Sequence, residues 1–106
     1  MKIYIVTNTT PTGNYTPSIF TKATKAYKWM KELAVENIKA AYEDELKEEF
    51  EDLYGSDDLE FEGSEEAILE FADENLDDVK IYTDEIDIYY GDDSFNIIQL
   101  FEVETE

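Results

Sequence analysis

Thr21–Gly55 reads TKATKAYKWMKELAVENIKAAYEDELKEEFEDLYG, and the spacing of its apolar residues decides the fold. No Gly or Pro interrupts it before Gly55, so it reads as helix, with Thr21 or Thr24 as the N-cap. At ~100° per residue, Ala23, Tyr27, Met30, Ala34, Ile38 and Ala41 share one stripe. Beyond Ala41 the apolar positions are Tyr42, Leu46, Phe50 and Leu53, a stripe rotated by roughly a third of a turn. Continuing the first stripe would run through Glu45, Glu48 and Asp52. One straight helix cannot bury both. The long first helix is therefore expected to kink or break between residues 37 and 42, where the charge balance also changes sign.

Upstream, Lys2–Thr7 (KIYIVT) is β-branched and aromatic and reads as a first strand, with Ile3 and Ile5 on one face and Tyr4 and Val6 on the other. Asn8–Pro17 holds two prolines and a glycine and reads as a loop; Ser18-Ile19-Phe20 returns as a second strand. Downstream, Gly55-Ser56-Asp57-Asp58 is a helix stop and turn. Leu59–Glu62 alternates like a short strand or belongs to an acidic loop, and Ser64 then caps a helix over Glu65–Leu76. That helix should turn Ala67, Ile68, Phe71 and Ala72 inward. Val79–Thr83, Ile86–Tyr90 and Phe95–Val103 read as a three-stranded meander joined by Asp84-Glu85 and Gly91–Ser94. The order ββ-αα-α-βββ predicts the α+β class. One mainly antiparallel sheet, built from an N-terminal hairpin and a C-terminal meander, would be covered on one face by helices.

At 106 residues the chain is expected to form a single domain, 1–106. Its 42% hydrophobic content, with Tyr 8, Phe 6 and Trp 1, is too rich for a disordered acidic tail. With no cysteine, neither disulfides nor thiolate metal sites are open to it. MKIYIVTNTT has an apolar run far short of a signal peptide, and no stretch approaches a membrane span. The expected location is cytoplasmic, in the host cell cytoplasm if the protein is viral, with no membrane partner.

Charge is the feature that reaches beyond a generic fold. From Ala41 onward, 26 of the 28 carboxylates face only Lys47 and Lys80, a net of −24; residues 1–40 carry six lysines against Glu32 and Glu36, a net of +4. A total of −20 strains a compact chain by self-repulsion. The densest array is Glu43, Asp44, Glu45, Glu48, Glu49, Glu51 and Asp52. Net −6 over Ala41–Tyr54, a helix of ~21 Å, gives one charge per ~3.5 Å, close to the ~3.4 Å of a single DNA strand. Asp57, Asp58, Glu60 and Glu62 extend it, and the outer face Glu66, Glu70, Asp73 and Asp77 of the next helix can lie beside it. Tyr42, Phe50, Tyr54 and Phe61 are interspersed, positioned to add apolar contacts. The same residues also suit a solvated helix, with Glu43 and Lys47 as a favourable i,i+4 pair.

Catalysis is weakly supported. The chain has no His, Cys or Arg, so most nucleophilic, general-base and oxyanion-binding arrangements are closed to it, and no catalytic residue is assigned. Nothing matches a calcium-loop pattern, and neither a metal site nor a cofactor is expected. Lys22, Lys25, Lys28 and Lys31 drift round their helix, which suits solubility or pairing with the acidic region better than direct nucleic-acid binding. Trp29, with Ala26 and Leu33, reads as an edge of the core.

The opening KIYIVT, a polar hairpin loop and SIFTKATKAYKWMKEL resemble the strand–hairpin–helix start of small phage proteins, over roughly residues 1–33. The acidity after Ala41 is similar to that of phage-encoded DNA mimics of the anti-CRISPR, anti-restriction and uracil-glycosylase-inhibitor types. Those share charge rather than sequence, so no residue carries over by motif. The resemblance implies a non-enzymatic viral inhibitor that occupies the nucleic-acid groove of a basic host protein, such as a CRISPR effector or restriction nuclease. The alternative is an acidic structural or regulatory module of a phage that self-associates or binds a basic protein without competing with nucleic acid. Either is compatible with a homodimer.

Overall fold

The computed structural model describes residues 1–14, 17–55, 59, 62–91 and 94–105. Its elements run β1 (Lys2–Thr10), β2 (Gly13–Asn14), β3 (Ser18–Phe20), α1 (Ala23–Ala41), α2 (Glu43–Tyr54), α3 (Ser64–Asn75), β4 (Val79–Ile81), β5 (Glu85–Gly91) and β6 (Ser94–Glu104). All strands join one antiparallel sheet in the order β2-β1-β6-β5-β4, with β3 also on β1. The chain is thus α+β, as its element order predicts. The sheet's centre is the pairing of β1 with β6, in register from Lys2↔Glu104 to Thr9↔Ile97. Strands from opposite ends of the sequence therefore lie side by side.

Strand alternation divides the sheet into two faces. Val6, Ile98, Leu100, Ile86, Ile88 and Val79 are buried together against Ala26, Met30, Ala34, Val35 and Ile38 of α1, Leu46 and Phe50 of α2, and Ile68 and Ala72 of α3. The helices therefore cover this face alone. The thinnest dimension, 20 Å, is what one sheet layer and one helix layer occupy.

The first helix breaks at Tyr42, inside the predicted window. Tyr42 has φ −127° and ψ 33°; its N–H still bonds Ile38 O (2.8 Å), and its carbonyl accepts from Leu46 N (3.0 Å) to start α2. The Tyr42 hydroxyl donates to Tyr89 O of β5 (2.9 Å), tying the corner to the sheet. Charge supports a break here. It leaves Lys39 in the last turn of α1 and Glu43, Asp44 and Glu45 in the first turn of α2, each beside the helix end of opposite partial charge. In one continuous helix that end effect would be lost.

Several local expectations are corrected. The N-caps of α1 and α3 are Lys22 and Gly63, with no side-chain cap bond, so neither Thr21, Thr24 nor Ser64 caps a helix. Asn8–Pro17 is not simply a loop. Strand β1 runs on to Thr10 and turns into β2, where Thr10 Oγ1 donates to Gly13 O (2.9 Å). Ala26, expected at the edge of the core, is fully buried, whereas Ala41 and Leu53 are exposed. Trp29 does sit at the core edge. Of the segment 59–62, Leu59 is buried in the core and Glu62 lies in a turn, while Glu60 and Phe61 fall outside the described residues.

Gly55 ends α2 in the left-handed region (φ 74°), its N–H bonding Glu51 O (2.8 Å). A Cβ added there meets nothing within 4 Å, so only backbone conformation opposes a side chain. Gly55→Ala should therefore cost about 1 kcal/mol. Urea denaturation should show a lower midpoint at an unchanged slope.

Candidate functional site

Helix α2 carries seven carboxylates on twelve residues, with Leu46 and Phe50 buried beneath. Placed at ~100° steps, Asp44, Glu45, Glu48, Glu51 and Asp52 occupy an outward arc of roughly 120°. All five are exposed. Glu43 lies on the flank, where Lys47 Nζ meets its Oε1 at 2.7 Å; the hydrogen bond and the charge of Lys47 hold the Glu43 carboxyl below its ordinary range. The arc itself contains no cation. Because α2 starts at Glu43 rather than Ala41, its net −6 spans ~18 Å, one charge per ~3 Å.

This placement works against the helix. Asp44–Glu48 and Glu48–Asp52 are like-charged i,i+4 pairs, and Glu51 and Asp52 sit in the last turn, where negative charge opposes the dipole. Helix stability alone would favour lysine at such positions. The first-turn trio Glu43, Asp44 and Glu45, by contrast, is placed as stability would choose.

Helix α3 divides its carboxylates between two sides. Glu70 and Glu74 join Glu49 along a groove of about 230 Å³ between α2 and α3, which also exposes Leu53 and Tyr54. Its floor is aromatic: Phe50 meets Tyr54 edge-on at 5.7 Å and Phe71 at 6.4 Å. Glu66 and Asp73 turn the other way. They line clefts shared with Lys31, and Glu66 with Lys28 as well, beside the N-terminal half of α1. Of the expected face Glu66, Glu70, Asp73 and Asp77, the first three therefore do share one cleft, but it opens beside α1, and Glu70 alone of the four also borders the α2 groove. Asp77 lies beyond the end of α3, in the turn before β4, and Glu62 lies in the turn before α3; both are exposed. Asp57, Asp58 and Glu60 fall outside the described residues.

Of the aromatics expected to make contacts, Phe50 is 1% exposed and serves the core instead. Tyr42 is half-buried at the helix corner; burial first, then the charges of Asp78 and Glu45, push its hydroxyl pKa up. Tyr54 is open to solvent, and so is Leu53, which helical spacing had assigned to the core. Glu74 is a groove residue that periodicity did not single out, because only the packing of α3 on α2 brings it there.

A second polar feature lies between α1 and β1, a cavity of about 280 Å³ lined by Val6, Asn8, Ser18, Trp29, Leu33, Glu36 and Asn37. Beside it, Asn96 Nδ2 donates to Asn37 Oδ1 (3.2 Å), and Asn37 Nδ2 to Leu33 O (2.8 Å). Among the described residues no group of three or more carboxylates is placed to hold a metal ion. No described helix is long and apolar enough to cross a membrane.

Among the described residues, the most perturbed carboxyl lies elsewhere, on the sheet face opposite the helices. Burial, a hydrogen bond with Glu85 and the charge of Glu85 push Asp87 up to about 6. Gln99 Nε2 donates to Glu85 from β6, and Lys80 of β4 stands opposite Asp87. With its folded pKa above the unfolded value, Asp87 binds a proton more readily in the native state. Its ionised form therefore costs stability above about pH 6, and that cost is relieved as pH falls toward the unfolded pKa near 4. Asp87→Asn should be more stable than the parent at pH 7.5, with the gap narrowing by pH 5 in parallel urea titrations. On α2, Glu48→Lys should turn two repulsive pairs into attractive ones and raise the thermal midpoint by about 5 °C at low salt. Differential scanning calorimetry reads that shift.

No protein family, characterised protein or solved structure matches the chain, so the site stands on its own geometry and charge.

Proposed function

We propose that this chain is a non-enzymatic phage inhibitor, an anti-CRISPR protein acting as a DNA mimic. It would occupy the nucleic-acid groove of an RNA-guided nuclease of the host. The observation that carries this reading is the cation-free outward arc of α2, five exposed carboxylates on a helix with one net charge per ~3 Å. A groove lined by Lys and Arg binds DNA largely through phosphate charge, and a rigid carboxylate row of similar density competes for the same cations. The α2–α3 groove supports the reading by adding Glu49, Glu70 and Glu74 around the exposed Leu53 and Tyr54. Those two side chains would supply apolar contact where a duplex would present bases. The unfavourable placement of Glu48, Glu51 and Asp52 is also what a binding surface selected for charge would leave behind.

The test uses immobilised protein and bacterial lysate, eluted first with duplex DNA and then with a salt gradient. A nuclease or other DNA-binding enzyme should leave the column when DNA is added, and its binding should weaken steeply with salt. The variant carrying Glu48→Gln, Glu49→Gln, Glu51→Gln and Asp52→Asn should stay folded and lose at least ~10-fold in affinity for that target. Undiminished inhibition by this variant would refute the reading, as would a lysate from which no basic protein is retained at low salt.

A further inference from the structure

The face of the sheet that the helices leave bare carries few charges among the described strand residues. Its alternating outward residues place Ile3 opposite Val103, and Ile5 between Ile19 and Phe101, in two consecutive rows. Ile19 is 65% exposed and Phe101 47%. Further along β6, Ile97 continues the same face. Among the described strand residues, the charges on this side are Lys80, Glu85 and Asp87, a net of −1 in a chain of −20. The ion-paired Lys2 and Glu102 alternate onto the helix side.

Two copies of a −20 chain repel through almost any other surface, and least through this one. A basic partner would instead be drawn to the acidic helices, and an acidic partner would be turned away. The size is also suitable. The strands total 35 residues, and at ~3.4 Å rise and ~4.8 Å spacing they project roughly 570 Å² of sheet. Two copies contribute roughly 1,100 Å² before the corrugation of side chains is counted, close to the ~1,200 Å² at which stable interfaces begin. We propose that a second copy of this chain covers the open sheet face, pairing sheet on sheet about a two-fold axis. The dimer has four layers, helices outside and two sheets within, and presents an acidic helical surface at each end. It is independent of the target reading above and is driven by apolar contact, so salt acts on it with the opposite sign.

Sedimentation velocity from about 1 to 100 μM, at about 50 and 500 mM salt, tests this. The parent should form a dimer that tightens several-fold at the higher salt. The double variant Ile19→Lys with Phe101→Lys should sediment as a monomer with its circular-dichroism spectrum unchanged. Should that variant fail to fold, Ile19→Lys alone carries the test, since this side chain is the more exposed. Leu53→Lys, on the helical side, should leave the dimer intact. A parent that stays monomeric at 100 μM in both salts would overturn the proposal. So would a dimer that loosens with salt, one that survives the lysines on the sheet, or a different protein found seated on this face of a monomeric parent.

Discussion

The pairing of β1 with β6 is the contact on which the rest of the molecule depends. It joins Lys2–Thr9 to Ile97–Glu104, so nearly the whole chain must be closed into a loop before any of its hydrogen bonds form. That closure opposes folding until apolar burial offsets it, and the burial comes from the same rungs. Val6 lies opposite Leu100, and Ile98 beside both Asn8 and Ile86. Helix α1 packs on this seam with Met30, Ala34 and Ile38, which are almost wholly buried. Without the central pair, the meander β4-β5-β6 and the strands on β1 would be two separate pieces, and α1, which packs on both β1 and β6, would lose its common platform.

On that platform, a single non-helical residue sets which side of the acidic segment meets the core. The break at Tyr42 lets α2 rotate Leu46 and Phe50 inward and keeps its outward carboxylates in water. It also turns one sign change in the sequence into two well-placed helix ends. Further along α2 and α3, charge and stability part company. Carboxylates occupy last turns and like-charged i,i+4 positions that a helix selected for stability would fill differently. The six lysines of the first forty residues do not neutralise this array as a block. Lys28 and Lys31 line a cleft with Glu65 and Glu66, on the side of α3 away from α2, and leave the α2 arc open.

The two faces of the molecule therefore differ in kind. The helical layer is charged and suited to a basic partner, and its interactions weaken as salt screens them. The bare sheet is mostly apolar, so salt strengthens contact between copies by reducing their repulsion. Because the two surfaces lie on opposite sides of a slab 20 Å thick, occupying one does not obstruct the other.

Local physics made much of this legible in the amino-acid order. The rotated stripe at residues 41–42 announced the helix break, because 3.6-residue periodicity cannot bury two offset rows on one axis. Alternation announced the strands, Gly55 the end of α2, and the i,i+4 spacing the Glu43–Lys47 pair. The concentration of carboxylates after Ala41 was plain from counting. What spacing could not reach was which strands pair and which helix sides meet. The β1–β6 seam joins residues about a hundred positions apart, and no local pattern encodes a partner at that distance. The division of α3 between a groove with Glu49 and a cleft with Lys31 was equally hidden, as were the burial of Ala26 and the exposure of Leu53. Periodicity assigns a residue to a side of its own helix. Only the packing of helix on helix and helix on sheet decides whether that side meets core, like charge, opposite charge or water.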